Sequence, residues 1–295
     1  MMKLSMSTNA YVRFSAAEAV RRIAAAGYQG VEILADAPHL YPYSLSHSEL
    51  VSVERVLTST GLEVANLNAN TAVGFYGREF WEPLFEPSLA NPDPVMRQWR
   101  VDYTRQCLDM AASLGCEHVS ITSGRAVPGT PPERGLQFLC ESLEKLLPHA
   151  ERKGIRLGIE YEPGLLVENL WELRAVLDQF QSPFLGANLD LGHSHVLGEE
   201  PEEVLSTLSE KIFHVHLEDI RGRKHYHLIP GTGDMDLLDL IRMLRRRGFE
   251  GFLTLELYTY PHRADDAARE GLAYMLSILE SSSDEANEKK PLMAP

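Results

Sequence analysis

The sequence predicts an α/β protein, a closed (β/α)8 TIM barrel forming a single domain. Three observations predict it. Short runs with strand character recur at 4–8, 30–36, 63–70, 118–124, 156–162, 185–191, 212–218 and 252–258, and helix-like segments fill the intervals. The length of 295 residues is somewhat above the roughly 250 of one such barrel and short for two substantial domains. In the second half of the chain, four strand-like runs each end in a residue able to bind a hard divalent metal: Glu160, Asp190, His216 and Glu256. A parallel barrel gathers its strand ends at one face, where a site is built.

The elements follow in order. Ser15-Ala16-Ala17-Glu18 reads as a capping box opening the first helix, Val20, Ile23 and Ala24 form its apolar stripe, and Gly27 is placed to stop it. The link Gly27-Tyr28-Gln29-Gly30 suits a tight turn at the face opposite the site, and Ser46-His47-Ser48-Glu49 opens the second helix with another capping box. From Thr71 to Pro94 the chain carries Phe75, Tyr76, Phe80, Trp81 and Phe85 with Pro83, Pro87 and Pro92, and has no clean period. This excursion, 71–94, follows the third strand and so lies on the site side, as a lid or pocket wall; the alternative is packing over a helix or a subunit neighbour. Leu237, Leu238, Ile241 and Leu244 make a late apolar stripe closed by Gly248, and Gly248-Phe249-Glu250-Gly251 echoes the first tight link. Arg242, Arg245, Arg246 and Arg247 fall at the end of that helix, where cations complement the dipole. The barrel is expected to occupy 1–280, and 281–295, which lacks apolar periodicity, to form a flexible tail.

Composition narrows the classes of function. Forty-two acidic residues against 28 basic give a formal charge of −14, which repels a phosphodiester backbone, so no nucleic-acid partner is expected. No run approaches the roughly 18 apolar residues of a membrane span, and Met1-Met2-Lys3-Leu4-Ser5-Met6-Ser7 has no secretory character. A soluble cytoplasmic protein without a membrane partner is the expectation. Cys107, Cys116 and Cys140 form an odd set without C-x-x-C spacing and read as buried thiols.

Strand side chains alternate, so Glu160 shares a face with Glu162 and His216 with His214, and spacing alone settles neither pair. Glu160 lies nearer the apolar strand body and is assigned as the ligand, whereas Glu162 precedes Pro163-Gly164 and is placed at the rim as a substrate group. His216 is assigned as the ligand with His214 one layer deeper, and His193 stands just past Asp190. Three carboxylates and one imidazole suit Mn²⁺, Mg²⁺ or Co²⁺, with Zn²⁺ also accommodated. Without a cation they would repel and shift one another's pKa values.

Gly158-Ile159-Glu160, Leu189-Asp190-Leu191-Gly192-His193, Phe213-His214-Val215-His216-Leu217-Glu218-Asp219, Pro230-Gly231-Thr232-Gly233 and Gly251-Phe252-Leu253-Thr254-Leu255-Glu256 resemble the xylose isomerase-like TIM barrels. Within these the chain is most similar to the sugar phosphate isomerase/epimerase group of D-tagatose 3-epimerase, inosose dehydratase and hydroxypyruvate isomerase. The resemblance implies one divalent ion per chain, Mn²⁺ first, held at Glu160, Asp190, His216 and Glu256. It also implies the two glutamates as proton carriers, His193 as a substrate ligand, and a homodimer or homotetramer. Related zinc endonucleases need additional His ligands on the earlier strands, where this chain has Asn66, Asn68, Asn70, Ser120, Thr122 and Ser123. A mononuclear site is therefore expected.

Such a site stabilises an enediolate beside a carbonyl. Proton return on the opposite face gives epimerisation of a small sugar, ketose or polyol derivative, and transfer between carbons gives isomerisation. Loss of a β-hydroxyl makes the enzyme a dehydratase or lyase on a keto-polyol or keto-glycoside. A non-catalytic interaction barrel is the remaining alternative. Substrate-side candidates are His193, Glu162, Arg221, Arg223, His225 and His227, the last of which either touches ligand or caps the Pro230–Gly233 turn. Glu32 is a further inward-facing candidate, or half of an interior ion pair.

Overall fold

The computed structural model describes residues 2–77 and 85–288. Phe80, Trp81 and Pro83 of the expected lid and the end of the expected tail lie outside the described residues. Eight parallel strands close into a barrel in sequence order: β1 (Lys3–Ser7), β2 (Gly30–Leu34), β3 (Glu63–Asn68), β4 (His118–Thr122), β5 (Arg156–Glu160), β6 (Leu185–Asp190), β7 (Ile212–Leu217) and β8 (Phe252–Leu255). Closure is made by β1 on β8, with Leu4 opposite Leu253 and Met6 opposite Leu255. Every expected strand is present, one to several residues shorter at its C-terminal end.

The helices are α1 (Ala16–Ala26), α2 (His47–Thr60), α3 (Val73–Tyr76), α4 (Pro94–Ser113), α5 (Pro132–Lys153), α6 (Leu170–Leu177), α7 (Leu191–Leu197), α8 (Pro201–Leu208), α9 (Leu237–Arg246) and α10 (Ala264–Glu288). The box at Ser46 is reciprocal, whereas at Ser15 only the hydroxyl caps; Glu18 turns outward to Arg21 and Arg22. Gly27 ends α1 at φ 104°, a left-handed position that favours glycine. The last helix runs past residue 280, where the tail was expected to begin. Its serines tolerate the helix because they bond back along it, Ser281 Oγ to Ser277 O at 2.8 Å and Ser282 Oγ to Leu279 O at 2.9 Å.

Two β-bulges matter for the site. Register shifts fall between Val31 and Glu32 and between Ala187 and Asn188. The extra residues are Ala65 in β3 and Phe213 in β7, which puts Asn66 opposite Glu32 and His214 opposite Asn188. Glu32 and Asn188, each just after the shift, are fully buried and face the interior. The described part of the 71–94 excursion is anchored at its start, where Asp36 accepts from Thr71 Oγ1 and Val73 N at 2.6 Å and from Gly74 N at 2.7 Å. Phe75 of α3 then packs edge-on against Trp99 of α4, with ring centroids 4.8 Å apart. No helix among the described residues is long and apolar enough to cross a membrane. Cys107 and Cys116 are buried, their thiols pushed up to about 12 by that burial, while Cys140 is half-buried.

Candidate metal centre

Glu160, Asp190, His216 and Glu256 converge at the C-terminal ends of β5 to β8, one ligand atom from each lying within 4.8 Å of the others. All four are buried. His216 sets the geometry. Its Nε2 is 2.5 Å from Glu32 Oε2, which leaves Nδ1 facing Glu160 Oε2 at 3.2 Å and Glu256 Oε2 at 3.8 Å. A carboxylate that holds the far nitrogen of an imidazole fixes its orientation and raises its basicity toward a metal. Glu32 is itself held by Asn66 Nδ2 at 2.7 Å and Asn68 Nδ2 at 3.1 Å. His214 sits one layer deeper, as expected, with Nε2 2.8 Å from Thr254 Oγ1.

The carboxylates are oriented by amides. Asn70 Nδ2 donates to Glu160 Oε2 at 3.0 Å, Asn188 Nδ2 donates to the same oxygen, and Asn9 and Asn68 donate to Glu256 Oε1 at 2.9 and 3.2 Å. Asp190 caps α7, its Oδ1 accepting from His193 N at 2.8 Å, while its Oδ2 is buried with no hydrogen-bond partner. At separations near 4 Å each like-charge pair costs about 4 kcal/mol at an effective dielectric of 20. Burial, opposed by His216 but reinforced by Glu160, Glu32 and Asp190, holds Glu256 well above the usual carboxylate range. Burial works to lower His216, but Glu32, Glu160 and Glu256 outweigh it and hold the imidazole well above its ordinary value. A hard divalent cation relieves both strains, and three carboxylates with one imidazole nitrogen form a donor set that fits it.

Around the tetrad, His193 is buried, with Nδ1 3.0 Å from Tyr161 O and 3.8 Å from Glu160 Oε1. His227 is buried too, its Nδ1 2.5 Å from Glu256 O, so it does not cap the Pro230–Gly233 turn. Asp219 does that: its Oδ2 accepts from Gly231 N and Gly233 N at 2.9 and 2.8 Å. Arg221 and Arg223, expected at the substrate, are exposed and make their contacts elsewhere. Arg221 Nη2 donates to Thr232 O at 2.5 Å, and the Arg223 guanidinium lies against Gly198 in an outer cleft it shares with His195 and Met235. The geometry of the β7 loop explains this, because residues 221–224 form its exposed outer bend.

Sequence reasoning left Glu218 without a role. Its carboxylate is fully buried, neither oxygen has a hydrogen-bond partner, and a Cβ at Gly192 would collide with Oε1. The available signal was alternation, since His214, His216 and Glu218 occupy every second position.

Glu162 is half-buried at the rim. Burial pushes its carboxyl up to about 7; His193 and Arg125 oppose this and the charges of Glu160 and Asp190 add to it. In protein stripped by a chelator, its native carboxyl keeps its proton to higher pH than the unfolded chain's. The resulting stability is fully present below about pH 4.5 and lost as the pH rises through about 7. Urea unfolding across that window is expected to show a shallower loss for Glu162→Gln than for the wild type, and identical slopes would refute the assignment.

A family model described as xylose isomerase-like TIM barrel matches residues 20–278. Fructoselysine 3-epimerase of Escherichia coli O157:H7 is 27% identical over 283 residues, covering 94% of this chain and 98% of the epimerase. Inosose and 3-dehydroshikimate dehydratases are also among the relatives. Among solved structures, a D-tagatose 3-epimerase-like protein superposes with a TM-score of 0.82 at 20% identity, covering 97% of this chain and 100% of that one. The IolI protein, solved with a bound zinc atom, gives 0.77 at 19% identity over 95% of this chain and 99% of its own. With eight strands closed in order and the matched span running from α1 into α10, the chain belongs to the xylose isomerase-like TIM barrel family.

Proposed function

We propose that this protein is a divalent-metal-dependent epimerase or isomerase of a small sugar, ketose or polyol derivative, with Mn²⁺ as the fitted ion and Glu160 and Glu256 as acid and base. One observation carries the reading: Glu160 and Glu256 approach the same imidazole nitrogen, His216 Nδ1, from β5 and from the end of β8, the strands on either side of β6 and β7. A cation held by Glu160, Asp190, His216 and Glu256 would supply Lewis acidity to a substrate carbonyl and so acidify the adjacent C–H. The remaining work falls to side chains. Glu160 and Glu256 stand on opposite sides of the gap, so one takes the proton from one face of the carbon and the other returns one to the opposite face. Asn70 and Asn188 hold Glu160, and Asn9 and Asn68 hold Glu256, so each carboxylate keeps one oxygen engaged and its aim fixed. His193, beside Asp190, and Glu162 at the rim are placed to bind substrate hydroxyls.

An epimerase is favoured before a dehydratase, since a 3-epimerase is matched over nearly the whole of both chains, whereas the 3-dehydroshikimate dehydratase is matched over 40% of its own length. The test is deuterium wash-in from D₂O over a panel of ketoses, inososes and 3-keto sugars with added Mn²⁺. Exchange at a carbon beside the carbonyl with product mass otherwise unchanged is the expected result. A product lighter by one water points to a dehydratase. Absence of exchange on every substrate tried, with the metal bound, overturns the reading.

A further inference from the structure

We propose that Tyr161 and Glu199 are positioning residues: together they brace the end of β5 against α6 and α7 and so set where His193 stands, and through it how tightly a substrate hydroxyl is held. The consequence for substrate rests on the epimerase or isomerase reading; the brace itself does not.

Strand register creates the need for such a brace. The last pair between β5 and β6 joins Ile159 to Ala187, so Glu160, Tyr161 and Asp190 all stand beyond that ladder. Across the gap the Asn188 amide reaches Glu160, and Tyr161 adds a link from each of its ends. Its carbonyl oxygen, just past the strand, is 3.0 Å from His193 Nδ1. A carbonyl only accepts, so Nδ1 carries the proton, and Nε2 is the nitrogen turned to Asp190, 3.7 Å from Oδ2. Alternation sends the Tyr161 side chain to the face opposite Glu160, where the buried phenol meets the Ser194 hydroxyl. Two consecutive residues of α7 are therefore held by one residue of β5's end, His193 at the carbonyl and Ser194 at the phenol.

Glu199 fixes the phenol. Tyr161 donates its one hydroxyl proton to Glu199 Oε2 at 2.7 Å, which leaves the phenol oxygen as the acceptor for Ser194 Oγ. The other carboxylate oxygen, Glu199 Oε1, accepts from Leu170 N at 2.8 Å. Leu170 opens α6, and the next two amides, Trp171 N and Glu172 N, are taken by Asn169 Oδ1 at 3.1 Å, so Glu199 supplies the acceptor that the cap residue lacks. One carboxylate thus ties the start of α6 to the end of β5. The chain presents it there because Gly198 closes α7 at φ 74°, a left-handed position that favours glycine, with Glu199 N on Ser194 O at 3.0 Å. A polar network with each of these groups satisfied specifies one geometry, and the geometry it specifies is that of His193 against Glu160 and Asp190.

The test follows the Nδ1–H proton of His193 by NMR of the full chain labelled with ¹⁵N at histidine, with His193→Ala identifying the signal. In Tyr161→Phe and Glu199→Ala that proton is expected to shift upfield and to exchange with water about five- to tenfold faster, the worth of one hydrogen bond. Glu199→Gln keeps one of the two acceptors and is expected to fall between. On the ketose that shows exchange in D₂O, KM is expected to rise by about the same factor with kcat little changed, because a hydroxyl held equally in the ground and transition states contributes uniform binding. His193→Ala is expected to raise KM as well, and adding Tyr161→Phe to it to raise KM no further. An unmoved His193 proton in Tyr161→Phe and Glu199→Ala overturns the brace, whatever the reaction proves to be. A moved proton with an unchanged KM, or KM effects that multiply in the double variant, overturns its role in holding substrate. A moved proton with no exchange on any sugar leaves the brace standing and counts against the epimerase or isomerase reading instead.

Discussion

Glu160→Gln and Glu256→Gln are each expected to lower turnover by about 10²–10⁴-fold, the range for removing a positioned acid or base. The side-chain volume is kept, and the amide retains one oxygen that accepts from the same Asn groups, so metal content measured alongside is expected to fall far less than turnover. The two variants are not expected to be equivalent. If each carboxylate serves one face, then starting from one epimer the deuterium exchange survives in one variant and disappears in the other, and starting from the opposite epimer the pattern reverses. A single base working both faces would abolish exchange from both epimers in one variant and leave the other nearly active. Full turnover by either variant on an established substrate would sink the two-carboxylate mechanism. Glu256 is the more informative of the two, because its carboxylate is held by side chains from β3 and from the segment after β1, and its backbone carbonyl by His227.

How much of this site was legible follows from what strand periodicity reports. A residue that ends an apolar run can be read directly, and Glu160, Asp190, His216 and Glu256 were found that way. Alternation put His214 and His216 on one face, and the structure has His214 deeper, its Nε2 on Thr254 Oγ1. Register between strands is not visible to alternation, and the extra residues Ala65 in β3 and Phe213 in β7 decide which side chains stand opposite Glu32 and Asn188. Glu32 was left between a site residue and an ion-pair partner because alternation gives its face and not its partner across the barrel; in the structure it is bonded to His216 and buried with it. Arg221 and Arg223 mark a different limit, since a charge on a loop shows that it exists without showing which side of the loop it takes. Asp219 was equally hidden, because its oxygens satisfy amides of the Gly231 to Gly233 turn that are more than ten positions away in the chain.

Arg100 is the residue whose loss is expected to cost the fold most, and nothing in its sequence setting announces it. It lies within α4, is 1% exposed, and donates to Ala69 O at 2.6 Å, Asn70 O at 2.8 Å and Thr71 O at 3.0 Å. Its guanidinium also lies 5.0 Å from the centre of the Tyr103 ring. These carbonyls belong to the segment that leaves β3, so Arg100 fixes the stretch carrying Asn68 and Asn70. Asn68 orients Glu32 and Glu256, and Asn70 orients Glu160. Arg100→Ala leaves buried carbonyls without donors and opens a cavity, and is expected to lower unfolding free energy by about 3–5 kcal/mol, the combined cost of the unpaired acceptors and the lost packing. Arg100→Lys keeps the charge but not the planar fork, and is expected to recover only part of it. At temperatures where the variant is folded, metal affinity at the tetrad is expected to fall by about tenfold or more, as for loss of other groups that orient metal ligands. Urea unfolding and metal titration measure the two effects separately. An unchanged unfolding midpoint would mean that the β3 segment is held by its strand neighbours alone, and lost stability with unchanged metal affinity would mean that the Asn amides keep their aim without it.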